Sequence, residues 1–389
     1  MMHIETDIVH GGQHPDKWTG ALSPPIYQTS TFVFRDADHG ARLFKGEEKG
    51  HIYTRISNPT IELLASKIAL LEAGEAGLVF ASGLAAIFNV VIAVVRSGEN
   101  IVSDDTIYGG TYTLFKNILP RLGIEVIFVD VSNPGKVQSA LNDRTRLLFI
   151  ETPANPTLKI IDIGACAEQA QKKGIPLCVD NTFATPYLQR PIDLGAEIIV
   201  HSATKYFGGH GDIIGGVAVG REEFIHAMWK GAKDVGASIS PFNAWLILRG
   251  LKTLAVRMER HCATAQKIAE FLEKHDKVET VYYPGLKSHP GHEIARRQMR
   301  GFGGMIGFDV KGGKETGKTL MNSVGLCTLA VSLGDVDTLI EHPGSMTHSG
   351  YTDQELLDSG IKPGFVRLSV GLEHVDDLID DLKQALGKI

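Results

Sequence analysis

Short apolar segments alternate with segments of helical periodicity through the middle of this sequence. The apolar segments read GLVFAS, NIVSDD, EVIFVDV, RLLFIETP, PLCVDNT, EIIVHSAT and GGVAVG. Strands that are apolar on both faces are typical of a parallel sheet that is buried between two layers of helices. The pattern therefore predicts an α/β fold in which a mostly parallel sheet forms the large domain.

The sequence pattern divides the 389 residues into three parts. Residues 1–57 are irregular and rich in Gly, Pro, Ser and Thr, and we expect them to form an N-terminal arm that contacts the neighbouring subunit. Residues 58–255 contain the strand–helix alternation and are predicted to form the large, cofactor-binding domain. Residues 256–389 contain a long helical segment and the apolar segments VETVYYP, GGMIGFDV and FVRLSVGLE, which predict a smaller C-terminal α+β domain.

Charge and apolar content exclude several classes of protein. Lys and Arg number 39 and Asp and Glu 45, so the formal charge is −6 and the basic surface of a nucleic-acid-binding protein is lacking. The most apolar run, residues 77–95, is interrupted by Ser82, Gly83 and Asn89, which favours a strand, a turn and a buried helix over a membrane span. The N-terminal residues do not resemble a signal peptide. We therefore expect a cytoplasmic protein that binds neither nucleic acid nor a membrane.

Neither the cysteines nor the histidines predict a metal site. The cysteines show no CxxC spacing, so we expect four free thiols at Cys166, Cys178, Cys262 and Cys327. His289 and His292 could be taken for a metal-binding pair, but their Gly/Pro-rich surroundings favour solvated surface side chains. No metal is therefore predicted.

Lys205 and Asp180 carry the strongest chemical signal. Asp180 ends the apolar segment PLCVD, and Lys205 follows EIIVHSAT. A lysine is seldom placed behind a buried strand, because removing an ammonium ion from water is costly, but it can lose its charge by forming a Schiff base with an aldehyde cofactor. An aspartate on a neighbouring strand could keep the pyridine nitrogen of pyridoxal 5′-phosphate (PLP) protonated. An ordinary ion pair between the two residues is the alternative.

Further polar residues after the predicted strands favour the PLP interpretation. Ser202 and Thr204 place hydroxyl groups beside Lys205, and residues 81–84 form a turn between a strand and a helix, where backbone N–H groups can bind a phosphate. Tyr108 follows another strand and could stack on a planar ring. Ligands of open α/β sheets bind at the carboxyl ends of the strands, so these features predict one PLP site.

Over essentially its full length the sequence is similar to the Cys/Met-metabolism family of fold-type-I PLP-dependent enzymes. The resemblance lies in YTRISNPT (residues 53–60), ASG (81–83), YGG (108–110), ETPANP (151–156), VDNT (179–182) and HSATKY (201–206). It implies that Lys205 binds PLP covalently, that Asp180 pairs with the pyridine nitrogen, and that Tyr108 stacks on the ring and takes part in catalysis. The residues implied in phosphate binding are Gly83, Leu84, Ser202 and Thr204.

The same resemblance implies how the substrate is bound and how subunits assemble. Arg367 would bind the substrate carboxylate as a bidentate fork, assisted by Asn155 and Ser332. Tyr53 and Arg55 would complete the cofactor site of the neighbouring subunit, which implies a homotetramer built from two catalytic dimers.

Within the family, the sequence resembles the methionine γ-lyases. Lys233–Asp234 matches a pair that is characteristic of those enzymes, and so does the segment around Val331 and Leu333. Relatives that act on cystathionine usually have a glutamate in place of Val331, for the second ammonium of that substrate, whereas an apolar side chain favours a small uncharged γ-substituent. Gly110 departs from the resemblance, because methionine γ-lyases generally have a cysteine there. We expect all five residues to lie at the substrate pocket.

The predicted reaction is the γ-elimination of L-methionine, or a related sulfur amino acid, to 2-oxobutanoate, ammonia and methanethiol. Lys205 would move the proton at Cα, and Tyr108 would protonate the departing thiolate. The alternatives are a cystathionine or homocysteine γ-lyase, and an O-acetylhomoserine sulfhydrylase or cystathionine γ-synthase.

Overall fold

The structure is a computed structural model that describes residues 2–347, 349–350, 352–358 and 360–389. Its helices are α1 (Ile4–His10), α2 (Ala37–Lys45), α3 (Pro59–Glu72), α4 (Gly83–Val94), α5 (Gly109–Thr113), α6 (Pro134–Ala140), α7 (Ile163–Lys173), α8 (Thr185–Leu188), α9 (Glu222–Val235), α10 (Pro241–Leu251), α11 (Leu254–Glu273), α12 (His292–Gln298), α13 (Gly313–Met321), α14 (Asp353–Asp358) and α15 (Val375–Leu386). Its strands are β1 (Ala76–Phe80), β2 (Asn100–Asp104), β3 (Glu125–Val129), β4 (Thr145–Glu151), β5 (Leu177–Asp180), β6 (Ile198–Ser202), β7 (Gly216–Gly220), β8 (Val278–Tyr282), β9 (Met305–Val310), β10 (Thr328–Leu329), β11 (Leu339–Glu341) and β12 (Phe365–Ser369).

Seven strands form the large sheet in the order β1-β7-β6-β5-β4-β2-β3. The strands from β6 to β3 are parallel, and β7 is antiparallel to both of its neighbours. Side chains alternate between two apolar cores, with Leu148, Ile150 and Val179 in one and Phe149 and Cys178 in the other. Helices α3, α7, α10 and α11 complete the first core, and α4 and α9 complete the second. The predicted α/β fold with a mostly parallel sheet is confirmed.

Five strands form a second sheet in the order β10-β11-β12-β9-β8. Apart from the parallel pair β10–β11, neighbouring strands are antiparallel. Ile306, Phe308 and Leu368 project from this sheet into a core that α11, α13 and α15 complete. Glu341 and Arg367 lie opposite each other on β11 and β12, so the second sheet presents a paired carboxylate and guanidinium.

The first 57 residues contain more regular structure than their sequence suggests. Helix α1 buries Ile4 and Ile8 in a core of the large sheet and packs against α3 and α11, and α2 follows its cap Asp36. Both helices are short, so their periodicity is hardly visible in the sequence. Trp18 and Val33, in contrast, are almost fully exposed apolar side chains.

The turn that carries His289 and His292 is buried, which corrects the expectation of solvated side chains. A Cβ atom on Gly291 would come within 2.6 Å of the Cβ of Ile160, so the turn lies directly against the loop after β4. The Nδ1 of His289 accepts a hydrogen bond from the N–H of Gly291 at 3.0 Å, and the Nδ1 of His292 lies 2.8 Å from the carbonyl oxygen of Pro284. The close packing of Gly291 on Ile160 therefore accompanies the burial of both rings.

The apolar run at residues 77–95 forms β1, a turn and α4, as predicted. Within the described ranges, no helix combines the length and apolar character needed to cross a membrane. All four cysteines are free, and three of them are buried.

Candidate active site

The carboxyl ends of β4, β5 and β6 bring Glu151, Asp180 and Ser202 to one edge of the large sheet, and Lys205 follows in the next turn. The amine of Lys205 donates a hydrogen bond to the hydroxyl of Ser332, with 3.0 Å between Nζ and Oγ. Burial and the charge of Arg367 lower the pKa of Lys205 to about 8. An amine that loses its proton this readily can attack an aldehyde carbon or accept a proton.

The first turn of α4 forms a cradle beside Ser202. The hydroxyl of Ser82 caps the helix by accepting a hydrogen bond from the N–H of Ala85 at 3.2 Å. A Cβ atom on Gly83 would come within 2.9 Å of the Cβ of Ser202, and one on Gly216 would come within 2.0 Å of the carbonyl oxygen of Ser82. The glycines therefore allow the helix N-terminus to lie directly on β6 and β7, where its unpaired N–H groups can bind an anion.

Leu84 and Thr204 lie at the edges of this cradle. Leu84 belongs to the first turn of α4, so its N–H has no partner within the helix. The hydroxyl of Thr204 accepts a hydrogen bond from the N–H of Gly215 at 3.1 Å and donates a longer one to the carbonyl of Gly215 at 3.4 Å. A phosphate oxygen could replace this longer bond.

Asp180 is a buried carboxylate with one oxygen engaged. Its Oδ1 accepts hydrogen bonds from the hydroxyl and the backbone N–H of Thr182, at 2.5 and 3.0 Å. Burial raises the pKa of Asp180, while the two bonds from Thr182 lower it. A cationic partner at Oδ2 would favour the ionised form, as a protonated ring nitrogen does.

Tyr108 is placed to cover a flat ligand. It precedes α5, its side chain is 47% exposed, and its backbone N–H donates a hydrogen bond to Glu151 Oε2 at 2.7 Å. A Cβ atom on Gly110 would come within 2.5 Å of Cε1 of the Tyr108 ring and 3.2 Å of Leu84 Cδ1. The Tyr108 ring can occupy this position only because residue 110 has no side chain.

The guanidinium of Arg367 is buried and held on three sides. Nη1 donates to Asn155 Oδ1 at 2.9 Å, Nη2 donates to the carbonyl of Ser332 at 2.8 Å, and Nε lies 3.1 Å from Glu341 Oε1. These partners come from the loop after β4, from the segment between β10 and β11, and from β11 itself. Arg367 is therefore fixed where the two sheets meet.

In the segment 331–334, the side chains of residues 331 and 333 do not point to the same side, as they would in an extended strand. Ser332 has φ of 91°, in the left-handed region, and a Cβ atom on Gly334 would come within 2.8 Å of the backbone nitrogen of Tyr206. Val331 is consequently 56% exposed, whereas Leu333 is 4% exposed and packs in the core of the large sheet. Of the two predicted pocket residues, only Val331 presents its side chain to the exterior.

The remaining predicted residues lie near the N-terminal segment. The Nζ of Lys233 lies 5.4 Å from the ring centre of Trp229 and 4.0 Å from Asp234, and Trp229 donates to a backbone carbonyl at residue 56 at 3.1 Å. Arg55 lies over the ring of Tyr53, and both line a cleft of about 410 Å³ together with residues 28–30, 54, 238 and 241. Lys205 is not among the residues that line this cleft.

Two carboxylates at the site carried no assigned role in the sequence. Glu151 and Glu341 are both buried, and burial raises the pKa of each. The sequence does show Glu151 as a polar strand end, like Asp180. Glu151 accepts hydrogen bonds from the nearby Asn155 and from Tyr108, 43 residues away, and Glu341 pairs with Arg367 on the next strand, so only the folded chain shows what the two carboxylates hold.

The structure contains one group of acidic residues that could hold a metal among the described residues, formed by Asp104, Asp105 and Asp130. The ammonium of Lys159 lies 2.8, 3.5 and 2.8 Å from their respective oxygens. The lysine therefore already balances this acidic group.

The residues around Lys205 fit PLP. The α4 cradle suits a phosphate, because glycines at positions 83 and 216 let the helix N-terminus pack directly on β6 and β7. The amine of Lys205, the free oxygen of Asp180 and the exposed ring of Tyr108 suit an aldehyde, a ring nitrogen and a ring face, respectively.

Comparisons with known proteins agree with this chemistry. The family profile described as "Cys/Met metabolism PLP-dependent enzyme" matches residues 5–387. The L-methionine gamma-lyase of Fusobacterium nucleatum subsp. nucleatum is 53% identical over 389 residues, which cover 99% of this chain and 98% of the relative. The O-acetyl-L-homoserine sulfhydrylase of Leptospira meyeri is 42% identical over 427 residues, which cover 99% of this chain and 97% of the relative. The crystal structure of MetB from Corynebacterium glutamicum superposes with a TM-score of 0.93 at 42% identity, covering 100% of this chain and 98% of that one.

Proposed function

The chain belongs to the Cys/Met metabolism family of PLP-dependent enzymes, and we propose that within this family it is a methionine γ-lyase. It would convert L-methionine to 2-oxobutanoate, ammonia and methanethiol. The observation that carries the proposal is the link between the base and the carboxylate-binding group. Ser332 accepts a hydrogen bond from Lys205 through its hydroxyl and from Arg367 through its carbonyl. An α-amino acid whose carboxylate binds Arg367 would thereby have its Cα beside Lys205.

PLP supplies a sink for the electrons that remain when the Cα proton departs. Lys205 would bind the cofactor covalently through Nζ, and the α4 cradle with Ser202 and Thr204 would hold the phosphate. Asp180 would hold the proton on the ring nitrogen, and Tyr108 would stack on the ring.

Arg367 has the donors that a substrate carboxylate needs. Three of its five N–H groups face Asn155, Ser332 and Glu341, so one N–H remains on each terminal nitrogen. These two can donate in parallel to one carboxylate. With the substrate bound through its amine in place of Lys205, the freed Nζ accepts the Cα proton and then a Cβ proton, so that the C–S bond can break, and the hydroxyl of Tyr108 donates a proton to the departing γ-sulfur.

A second candidate function follows from Gly110. A Cβ atom at this position would come within 2.5 Å of the Tyr108 ring, so the ring takes a position here that a cysteine would not allow, and this changes the shape of the substrate site. Substrates such as O-acetylhomoserine or cystathionine are therefore the alternatives. Keto-acid release should therefore be measured from methionine, homocysteine, cystathionine, cysteine and O-acetylhomoserine in parallel, with and without sulfide. The proposal expects the highest kcat/KM for methionine. Faster formation of homocysteine and acetate from O-acetylhomoserine and sulfide would establish the sulfhydrylase instead.

Val331→Glu is expected to reduce kcat/KM for methionine by roughly fivefold, because the carboxylate would have no partner beside an apolar thiomethyl group. The effect stays small since Val331 is 56% exposed. Cystathionine should lose less or gain, because its distal ammonium can pair with the new charge. The measurement is the ratio of kcat/KM for the two substrates, with Val331→Thr as the uncharged control of similar shape. An unchanged ratio in Val331→Glu would show that this residue does not face the leaving group.

We also propose that the protein is a cytoplasmic homotetramer whose active sites are shared between subunits, with an arm at 1–57 and domains at 58–255 and 256–389. The large sheet lies within 76–220 and the second sheet within 278–369. Apolar side chains of the first 57 residues that a neighbouring subunit would cover include Trp18, Leu22, Val33 and Phe44. Tyr53 and Arg55 line a cleft apart from Lys205 of their own chain, which supports a role in the neighbour's site.

Mixing inactive Lys205→Ala subunits with inactive Arg55→Ala subunits is expected to restore activity. A mixed dimer has one site with both residues intact, so random exchange should recover roughly a quarter of the native sites. Differently tagged subunits allow the mixed species to be purified before keto-acid release is measured. Mixed dimers that form but stay inactive would show that Arg55 and Lys205 act within one chain.

A further inference from the structure

Glu151 binds two loops with one side chain. Its Oε2 accepts a hydrogen bond from the backbone N–H of Tyr108 at 2.7 Å, and its Oε1 accepts one from the backbone N–H of Asn155 at 2.8 Å. The residue is 3% exposed and lies opposite Asp180 at the ends of β4 and β5. A second buried carboxylate at this point is costly, and charge-assisted bonds from two N–H groups offset part of that cost.

The two loops hold different parts of the site. Tyr108 carries the exposed ring that covers the cofactor position, and Asn155 receives a hydrogen bond from Arg367 at 2.9 Å. A continuous path of hydrogen bonds therefore runs from the stacking loop through Glu151 and Asn155 to the arginine. Both oxygens of Glu151 accept from donors, so its ionised form fits this arrangement.

We propose that Glu151 is a positioning residue that sets the distance between the ring-stacking Tyr108 and the carboxylate-binding Arg367. This inference rests on the proposed function, since it assigns Arg367 to a substrate carboxylate. Without both bonds, the two loops could move independently, and the ring and the carboxylate site would lose their fixed relation. Burial and the neighbouring Asp180 raise the pKa of Glu151 well above its usual range, and its two N–H donors offset only part of that rise.

The test uses PLP-loaded Glu151→Gln, because a glutamine of the same shape has one oxygen and cannot accept both N–H groups. Two properties are measured without turnover: the visible circular dichroism of the bound cofactor, which reports ring stacking, and the dissociation constant of 4-(methylthio)butanoate, a methionine analogue without the amine. Both should change in Glu151→Gln, with the dissociation constant rising about tenfold. Glu341→Gln is the matched control, because Glu341 contacts Arg367 but is not bonded to the Tyr108 loop. It should weaken the analogue and leave the dichroism unchanged.

Glu151→Asp keeps two oxygens and should retain more of both properties than Glu151→Gln, which separates positioning from a general loss of folding. The proposal is overturned if Glu151→Gln folds with native dichroism and native affinity, or if Glu341→Gln changes the dichroism equally. If the proposed function is wrong, the unaltered enzyme will release no methanethiol from methionine. The dichroism of the Glu151 variants would still report whether the Tyr108 loop has moved, so the two failures can be distinguished.

Discussion

Lys205→Ala is expected to lose methionine elimination by a factor on the order of 10⁴ or more, because the base and the covalent anchor are removed together. Release of 2-oxobutanoate measures the loss of elimination. Borohydride reduction followed by denaturation measures the loss of the covalent anchor, since PLP should stay attached to the native chain and not to the variant.

Lys67 provides a matched control for this experiment. It is a buried lysine, whereas Lys205 is half-buried, and burial lowers the pKa of Lys67 to about 8, as for Lys205. Its amine instead donates to the backbone carbonyls of Val9 and Gly11, at 3.3 and 3.4 Å. Lys67→Met should keep the attached cofactor and the activity. Cofactor trapped on Lys205→Ala after reduction would refute the assignment of Lys205.

Arg367→Met is expected to reduce kcat/KM for methionine by roughly 10²- to 10⁴-fold, because two charge-assisted hydrogen bonds to the substrate carboxylate are lost. It should also lower the free energy of unfolding by about 3–5 kcal/mol, because Glu341 is left buried without its partner. The measurements are steady-state kinetics and denaturant unfolding of the PLP-loaded protein.

The double variant Arg367→Met/Glu341→Gln separates the two effects of Arg367. Removing the charge of Glu341 should recover part of the stability, because no unpaired carboxylate remains buried. Activity should stay low, since the carboxylate-binding fork is still missing. Recovery of kcat/KM in the double variant would mean that Arg367 acts on stability and not on the substrate.

Residues whose position follows from local structure could be predicted from the sequence. Asp180 and Ser202 end apolar strands, and Gly83 begins a helix after a serine cap. Each therefore lies at the carboxyl edge of the sheet, whatever the conformation of the other segments. The strand–helix alternation likewise predicted the mostly parallel sheet, because strands that are apolar on both faces must be covered on both sides.

The segment that contains Val331 and Leu333 could not be predicted in the same way. The resemblance to the methionine γ-lyases placed both side chains at the substrate pocket, but Ser332 adopts a left-handed conformation and Gly334 packs on the backbone after Lys205. The local turn places Leu333 in the core. The prediction that His289 and His292 are solvated was also wrong. It depended on their Gly/Pro-rich surroundings, but close packing of the backbone there goes together with burial of both rings.

The sequence by itself determined the fold class, the lysine and aspartate after the strands and the glycine that begins α4, because these depend on contacts between residues that are near in sequence or on strand patterns. The tertiary structure decided which groups hold one another in place. Glu151 receives the N–H of Tyr108 from 43 residues away, and Asn155 receives Arg367 from 212 residues away. No periodicity or spacing encodes such bonds, since the first forms only when β2 and β4 lie side by side in the large sheet and the second only when the two sheets have packed.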